Sequence, residues 1–267
     1  MTQINKGFAL ITGASAGIGA VYADRLAHRG YDLILVARNA DRLRAVADDV
    51  TTRTGRKVEI VVADLADHSG LKQVEDILKT DTRITLLVNN AGLAPVAPML
   101  ATDVNALSDV IAVNINATMR LTHAAAPKFA ERGSCAIINI SSGVAVALEM
   151  INSVYSASKA FILAFSQSLK HEFGDNGVRL QVVLPGAIAT SAWANNGFPI
   201  ENLPKEMVMT TEALVDSALA GFDLGEFVTA PSLAEPSQWD AFDQARRALA
   251  QNMSRSVPAE RYGVNPA

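Results

Sequence analysis

Cysteine is nearly absent from this chain. Cys135 is the only one in 267 residues, which excludes an internal disulfide and a thiolate zinc site and suits a reducing compartment. It lies in the apolar run CAIINI (135–140), as a buried structural thiol does. The four histidines, His28, His68, His123 and His171, are far apart, and none pairs at metal-ligand spacing, so no metal is assigned. Neither sign of charge dominates. With 23 basic and 27 acidic residues the net charge is −4, and no basic face invites nucleic acid or an anionic membrane. No apolar run approaches the roughly 18 residues of a membrane span. The opening MTQINKGFALIT has no signal-peptide apolar core, so the expectation is a soluble, cytoplasmic protein. Repeats, linkers and low-complexity blocks are also missing. What is present is 49% hydrophobic residues, enough for one large core.

That apolar content is distributed as an alternation. Short runs rich in Val, Ile and Leu recur at 8–12, 32–37, 58–63, 84–89, 135–140, 179–184 and 226–230. They lack polar alternation, as strands covered on both faces do. Between them lie stretches of helical periodicity at 17–29, 40–54, 69–79, 102–131, 152–175 and 210–224, several ending near a glycine: Gly30, Gly133 and Gly177. Strand–helix alternation with right-handed crossovers gives an α/β fold: a single Rossmann-like domain over 1–267, its doubly wound, seven-stranded parallel sheet flanked by helices. In such sheets ligands bind outside the carboxyl ends of the strands.

Directly after the first strand comes TGASAGIG, with Gly13, Ser15, Ala16, Gly17, Ile18 and Gly19 between strand and helix. Glycines permit a tight turn, and the helix they open offers free N–H groups to a diphosphate. The alternative is a mere tight turn, and the strand–turn–helix context argues against it. The second strand ends in Val36, Ala37 and Arg38, with no carboxylate at its tip. A carboxylate there would hold the ribose hydroxyls of NAD, whereas a guanidinium accommodates the 2′-phosphate of NADP. NADP(H) is therefore preferred, with NAD(H) the alternative, in which Arg38 is a solvated surface charge. Asp64 and Leu65, after the third strand, offer an acceptor and an apolar edge to an adenine. Taken alone, Asp64 also reads as a turn residue.

Residues 155–159 read YSASK. Tyr155 and Lys159, four apart on a helix, share one face, and an ammonium beside a phenol favours the phenolate. Taken alone, the pair also fits two polar residues meeting on a helix surface. The serine Ser142, thirteen positions upstream, makes it a larger constellation.

With TGASAGIG, Asp64, NNAG at 89–92, Asn114, Ser142, Tyr155, Lys159 and Pro185–Gly186 in order, the chain resembles the short-chain dehydrogenase/reductase family, NADP-preferring type. The resemblance runs from about residue 7 to 190 and more loosely to about 230. It implies that Tyr155 exchanges a proton with a carbonyl or alcohol oxygen. Lys159 lowers the phenol's pKa and binds the nicotinamide ribose. Ser142 orients the substrate oxygen, and Asn114 holds a water that links Lys159 to solvent. Asn114 also reads as a polar residue satisfying helix backbone. The NNAG turn, with Asn90, Ala91 and Gly92, supports the sheet and lines the cofactor's ribose, and Pro185, Gly186, Ile188 and Thr190 frame the nicotinamide. Ser141 is the neighbour that competes with Ser142, and the thirteen-residue separation favours Ser142. Family members are usually dimers or tetramers, so a homodimer or homotetramer is implied, with helices 102–131 and 152–175 as pairing surfaces.

Substrate choice falls to three stretches, 93–100, 143–152 and the loop 191–209, whose apolar side chains include Leu148, Met150, Trp193, Phe198 and Met207. Each also reads as lid packing or subunit contact. No Arg or Lys falls within 143–152 or 191–204, so a neutral ketone, aldehyde or secondary alcohol is expected, acted on by an NADPH-dependent oxidoreductase. Two other readings compete: a 3-ketoacyl-thioester reductase of the same family, and a non-catalytic nucleotide-sensing protein. The segment 232–267 is an extension beyond the family's core, with helical spacing in WDAFDQARRALAQNM.

Overall fold

The structure, a computed structural model, describes residues 6–190, 193 and 199–264. Its main sheet has seven parallel strands in the order β3-β2-β1-β4-β5-β6-β9. These are β1 (Phe8–Thr12), β2 (Asp32–Ala37), β3 (Val58–Val62), β4 (Ile84–Asn89), β5 (Ala136–Ile140), β6 (Arg179–Val183) and β9 (Val228–Thr229). A second pairing joins two short parallel strands, β7 (Ala187–Ile188) and β8 (Val208–Met209).

Period-two alternation explains how one sheet serves two cores. Ala9 and Ile11 of β1, with Leu33 and Leu35 of β2, face one cluster. It includes Tyr22, Leu26, Leu43, Leu214 and Leu219 from α1 (Gly17–His28), α2 (Ala40–Thr54) and α7 (Thr211–Leu224). Phe8, Leu10, Ile34 and Val36 face the opposite cluster. There they meet Leu71, Leu78, Leu121, Phe129 and Phe173 from α3 (His68–Thr80), α5 (Thr118–Arg132) and α6 (Ser153–Phe173). Each fully buried Leu or Ile side chain contributes about 1.5–3 kcal/mol. This is why these strands are apolar throughout.

The long helix expected over 102–131 runs without interruption from Val104 to Arg132, but its middle turns are widened. The chain forms α4 (Val104–Val110), then a π-helix at Ile111–Ala117, then α5. The last long helix before β6 ends at Phe173, with Gly174 at φ +51°, three residues ahead of the expected stop at Gly177.

Side chains cap most helices: Asn39 for α2, Asp67 for α3, Asp103 for α4, Asn152 for α6 and Thr210 for α7. The helix α1, behind the glycine turn, has no side-chain cap and no acid in its first turn. Its leading N–H groups are left for another acceptor.

Residues up to Pro231 form one compact unit, and Ser232–Ala267 form a second. The second contains α8 (Pro236–Ala250), with Trp239 and Phe242 in ring contact and Asp243 paired to Arg246 and Arg247. None of the described residues of this unit is buried.

Candidate active site

β1 lies between β2 and β4, so successive crossovers leave in opposite directions and open a crevice at the strands' carboxyl ends. An open cleft occupies this place. Of the expected nucleotide residues, Gly13, Ser15, Arg38, Asp64, Leu65, Ala91 and Gly92 line it. Asn39 and Arg42 line it too and were not anticipated. Arg42 lies in the first turn of α2, four residues after Arg38 in the sequence ARNADR. Arg38 reaches towards Asp64 at 3.6 Å, and Asp64 also accepts from the backbone N–H of Ala66 at 2.9 Å, closing its own turn.

Close backbone approach explains the glycines. A Cβ on Gly19 would lie 2.4 Å from the carbonyl oxygen of Gly13, and one on Gly13 would lie 2.9 Å from the Cα of Ala91. Thr12 secures this crossing: its hydroxyl accepts from the N–H groups of Asn90 and Ala91, each at 3.0 Å, and donates to Val88 O at 3.3 Å. Asn90 does not line the cleft. Its amide donates to Thr12 O at 2.9 Å and Gly13 O at 3.3 Å, so it braces the glycine loop. Gly17 lies under Thr190, with a would-be Cβ 3.4 Å from Thr190 Cγ2, while Ala16 is exposed and Ile18 packs on the core. The glycine turn, the uncapped α1 and the two arginines thus fit a dinucleotide.

The catalytic candidates gather around the end of β5. The Ser142 hydroxyl is hydrogen-bonded to the Tyr155 phenol and lies 3.4 Å from Pro185 O. Pro185 O also accepts from Gly143 N at 2.7 Å, which ties the 185–186 turn to the serine. Lys159 is buried; its ammonium donates to Ile140 O at 3.0 Å and lies 5.7 Å from the Tyr155 ring centroid. Burial pushes the Tyr155 phenol up, with the Ser142 bond opposing, and holds the Lys159 ammonium down at about 8. Desolvation sets the direction of both shifts.

Ser141 and Ser158 tie α6 to its surroundings. Ser141 donates to the carbonyl of Lys159 at 2.7 Å. Ser158 donates to Tyr155 O at 2.7 Å and accepts from Asn114 Nδ2 at 2.9 Å. Asn114, in the π-helix, completes its amide pairing with Leu93, accepting from its N–H at 2.8 Å and donating to its carbonyl at 2.9 Å. Both of its amide hydrogens are thus used, while its oxygen keeps a second acceptor site.

On the substrate side, Leu148 and Met150 are exposed, at 46% and 68%, on a 3₁₀ turn. The indole N–H of Trp193 donates to Ile188 O at 2.8 Å, and the Ile188 side chain is buried in the core. Phe198 lies outside the described residues. Among the described residues, no group of three His, Cys, Asp or Glu side chains could hold a metal, and no helix is long and apolar enough to cross a membrane.

The family model for short chain dehydrogenases matches residues 7–198, and the chain belongs to this family of NAD(P)-dependent oxidoreductases. A short-chain dehydrogenase from Sphingobium yanoikuyae in complex with NADPH is 43% identical, with a TM-score of 0.93 over 96% of this chain and 100% of that one. The bulky-bulky ketone specific alcohol dehydrogenase from Comamonas testosteroni is 39% identical, with a TM-score of 0.90 over 97% of this chain and 99% of that one. The 17-beta-hydroxysteroid dehydrogenase type 3 of Rattus norvegicus is 36% identical over 186 residues, 68% of this chain and 60% of that protein. The chain thus spans about 60% of the length of that curated relative.

Proposed function

We propose that this protein is an NADPH-dependent reductase of bulky, neutral, apolar ketones, working in reverse on the corresponding secondary alcohols. The observation that carries the reading is the Ser142–Tyr155–Lys159 group, standing at the carboxyl end of the sheet that also carries the two-arginine cleft. The cation pair Arg38 and Arg42 supports the phosphorylated cofactor, as does the NADPH complex of the Sphingobium relative. The substrate class is supported by exposed apolar side chains on the segments leaving β4 and β5: Met99, Leu100, Val146, Leu148 and Met150. The Comamonas relative's preference for bulky ketones points the same way.

The nicotinamide, when bound, exchanges a hydride with the substrate carbon. The chain's own residues manage the oxygen. Ser142 donates a hydrogen bond to it and Tyr155 supplies its proton, a positioned acid worth about 10²–10⁴-fold in rate. Lys159 replenishes the phenol through solvent reached beside Asn114. Exposed Val104, Ile111 and Met119 share one face of the 104–132 helix, and self-association through that face belongs to the same proposal.

The test is the initial rate of NADPH and NADH oxidation with a small methyl ketone, a bulky diaryl or steroidal ketone and a 3-ketoacyl thioester. Fastest turnover of the bulky ketone with NADPH is expected. Preference for the thioester would replace the substrate class, preference for NADH would overturn the arginine argument, and cofactor binding without any turnover would favour a sensing protein.

A further inference from the structure

The segments that carry the exposed apolar side chains, 97–102 and 148–150, meet at one buried residue, Asn152. It is only 3% exposed, and both ends of its amide are used. Oδ1 accepts from the N–H groups of Val154 at 3.0 Å and Tyr155 at 3.2 Å, capping the catalytic helix α6. Nδ2 donates to Ala97 O at 2.7 Å and lies 3.4 Å from Thr102 Oγ1. These partners set the amide's orientation without ambiguity: two backbone donors face the oxygen and a carbonyl faces the nitrogen.

The segment gripped in this way is a closed turn. Ala101 N donates to Pro98 O at 2.9 Å, Thr102 N to Met99 O at 3.2 Å and the Thr102 hydroxyl to Pro98 O at 2.9 Å. The turn carries Met99 and Leu100, at 54% and 100% exposed. It leaves the sheet through the 90–93 stretch after β4, next to the strand whose end bears Ser142. A side chain that caps one helix needs only an acceptor, and most caps in this chain are of that kind. Asn152 adds a donor, directed at a different segment.

We propose that Asn152 is a specificity-positioning residue, which fixes the apolar 97–102 turn relative to the Tyr155 phenol and so sets how large an apolar ketone can be held in reach of the acid. The proposal rests on the ketone-reductase reading of this site. Asn152 touches no reacting atom in it; it acts through the turn on one side and the start of α6 on the other.

The two roles separate by substitution. Serine is as good a helix cap as asparagine but lacks the donor that reaches Ala97, whereas alanine removes both functions. The experiment takes the full chain as wild type, Asn152→Ser and Asn152→Ala. It measures KM and kcat for a small methyl ketone and a bulky diaryl ketone, thermal stability, and amide hydrogen exchange over 97–102. For Asn152→Ser the expected result is faster exchange at Ala101 and Thr102 and a KM for the bulky ketone raised about tenfold, with small-ketone kcat within about twofold of wild type. Asn152→Ala is expected to show the same pattern with a lower Tm. Wild-type exchange and wild-type KM values in Asn152→Ser would reduce Asn152 to a helix cap and overturn the proposal. Equal loss on both ketones would overturn it too, placing the effect at Tyr155 itself. If wild type reduces no carbonyl, the reductase reading falls, and the exchange measurement alone then decides whether Asn152 holds the turn.

Discussion

The Lys159 ammonium lies 5.7 Å from the centroid of the Tyr155 ring and donates to Ile140 O at 3.0 Å. Burial acts on the two in opposite directions, raising the phenol's pKa and lowering the ammonium's to about 8. Both shifts favour the uncharged form. The surroundings of Tyr155 thus favour its protonated, donor form.

Lys159 should be a stability liability. Its folded pKa, about 8, lies below the ordinary 10.5, so the unfolded chain binds more protons between these values and stability rises with pH across that window. Below about pH 8 the full penalty is present. Lys159→Met is expected to raise Tm near pH 7 by roughly 5 °C while abolishing turnover, with the gain shrinking towards pH 10. Melting curves at several pH values check this, and a lower Tm at neutral pH would contradict it.

The pH profile follows from the same groups. With NADPH saturating, kcat/KM for a ketone should be level from about pH 6 to 8, because a raised phenol stays protonated there. Alcohol oxidation needs the phenolate, so its kcat/KM should climb about tenfold per pH unit over the same range. A plateau in oxidation below pH 8 would show that the phenol is depressed in the working complex.

Removing the acid isolates its role. Tyr155→Phe should lower kcat by about 10²–10⁴-fold, and Ser142→Ala by about 10²-fold, with NADPH affinity within a few-fold of wild type. Steady-state kinetics and cofactor titration measure the two separately. Wild-type turnover by Tyr155→Phe would end the assignment.

Arg38 and Arg42 should matter only for the phosphorylated cofactor. Each single alanine substitution is expected to raise the KM for NADPH about tenfold, the value of a charge-assisted hydrogen bond, and to leave the KM for NADH unchanged. Parallel losses with both cofactors would place the arginines in general folding.

The strands were legible because each must be covered on two faces. FALIT, DLILVA and ITLLVN coincide with β1, β2 and β4, and the runs at 58–63, 135–140 and 179–184 miss β3, β5 and β6 by one residue. Edge strand β9 is harder to read: two residues at Val228–Thr229 sit within the expected 226–230. The π-helical widening inside the 102–131 helix had no local signal, since IAVNINA reads as ordinary helix. It becomes a π-helix where Asn114 pairs with Leu93 and Ser158, residues far from it in sequence.

The same division runs through the site. Tyr155, Lys159, Ser142 and the glycine turn announce themselves in the sequence, because proton exchange and close backbone approach admit few residue types at few spacings. Partnership does not announce itself. Asn90 is legible as part of a supporting turn, but its bonds to Thr12 O and Gly13 O are not. Asn152 looked like one more residue of a variable stretch and joins two segments at the catalytic helix. The lysine expected to acidify its tyrosine is itself driven towards neutrality by burial. By itself the sequence determined the strand order's ingredients, the cofactor turn and the residues able to exchange a proton, since these depend on residue chemistry and local spacing. Which polar groups those residues meet, and how much water each has lost, was decided only by the tertiary structure, because desolvation and long-range hydrogen bonds are set by what the rest of the chain brings alongside.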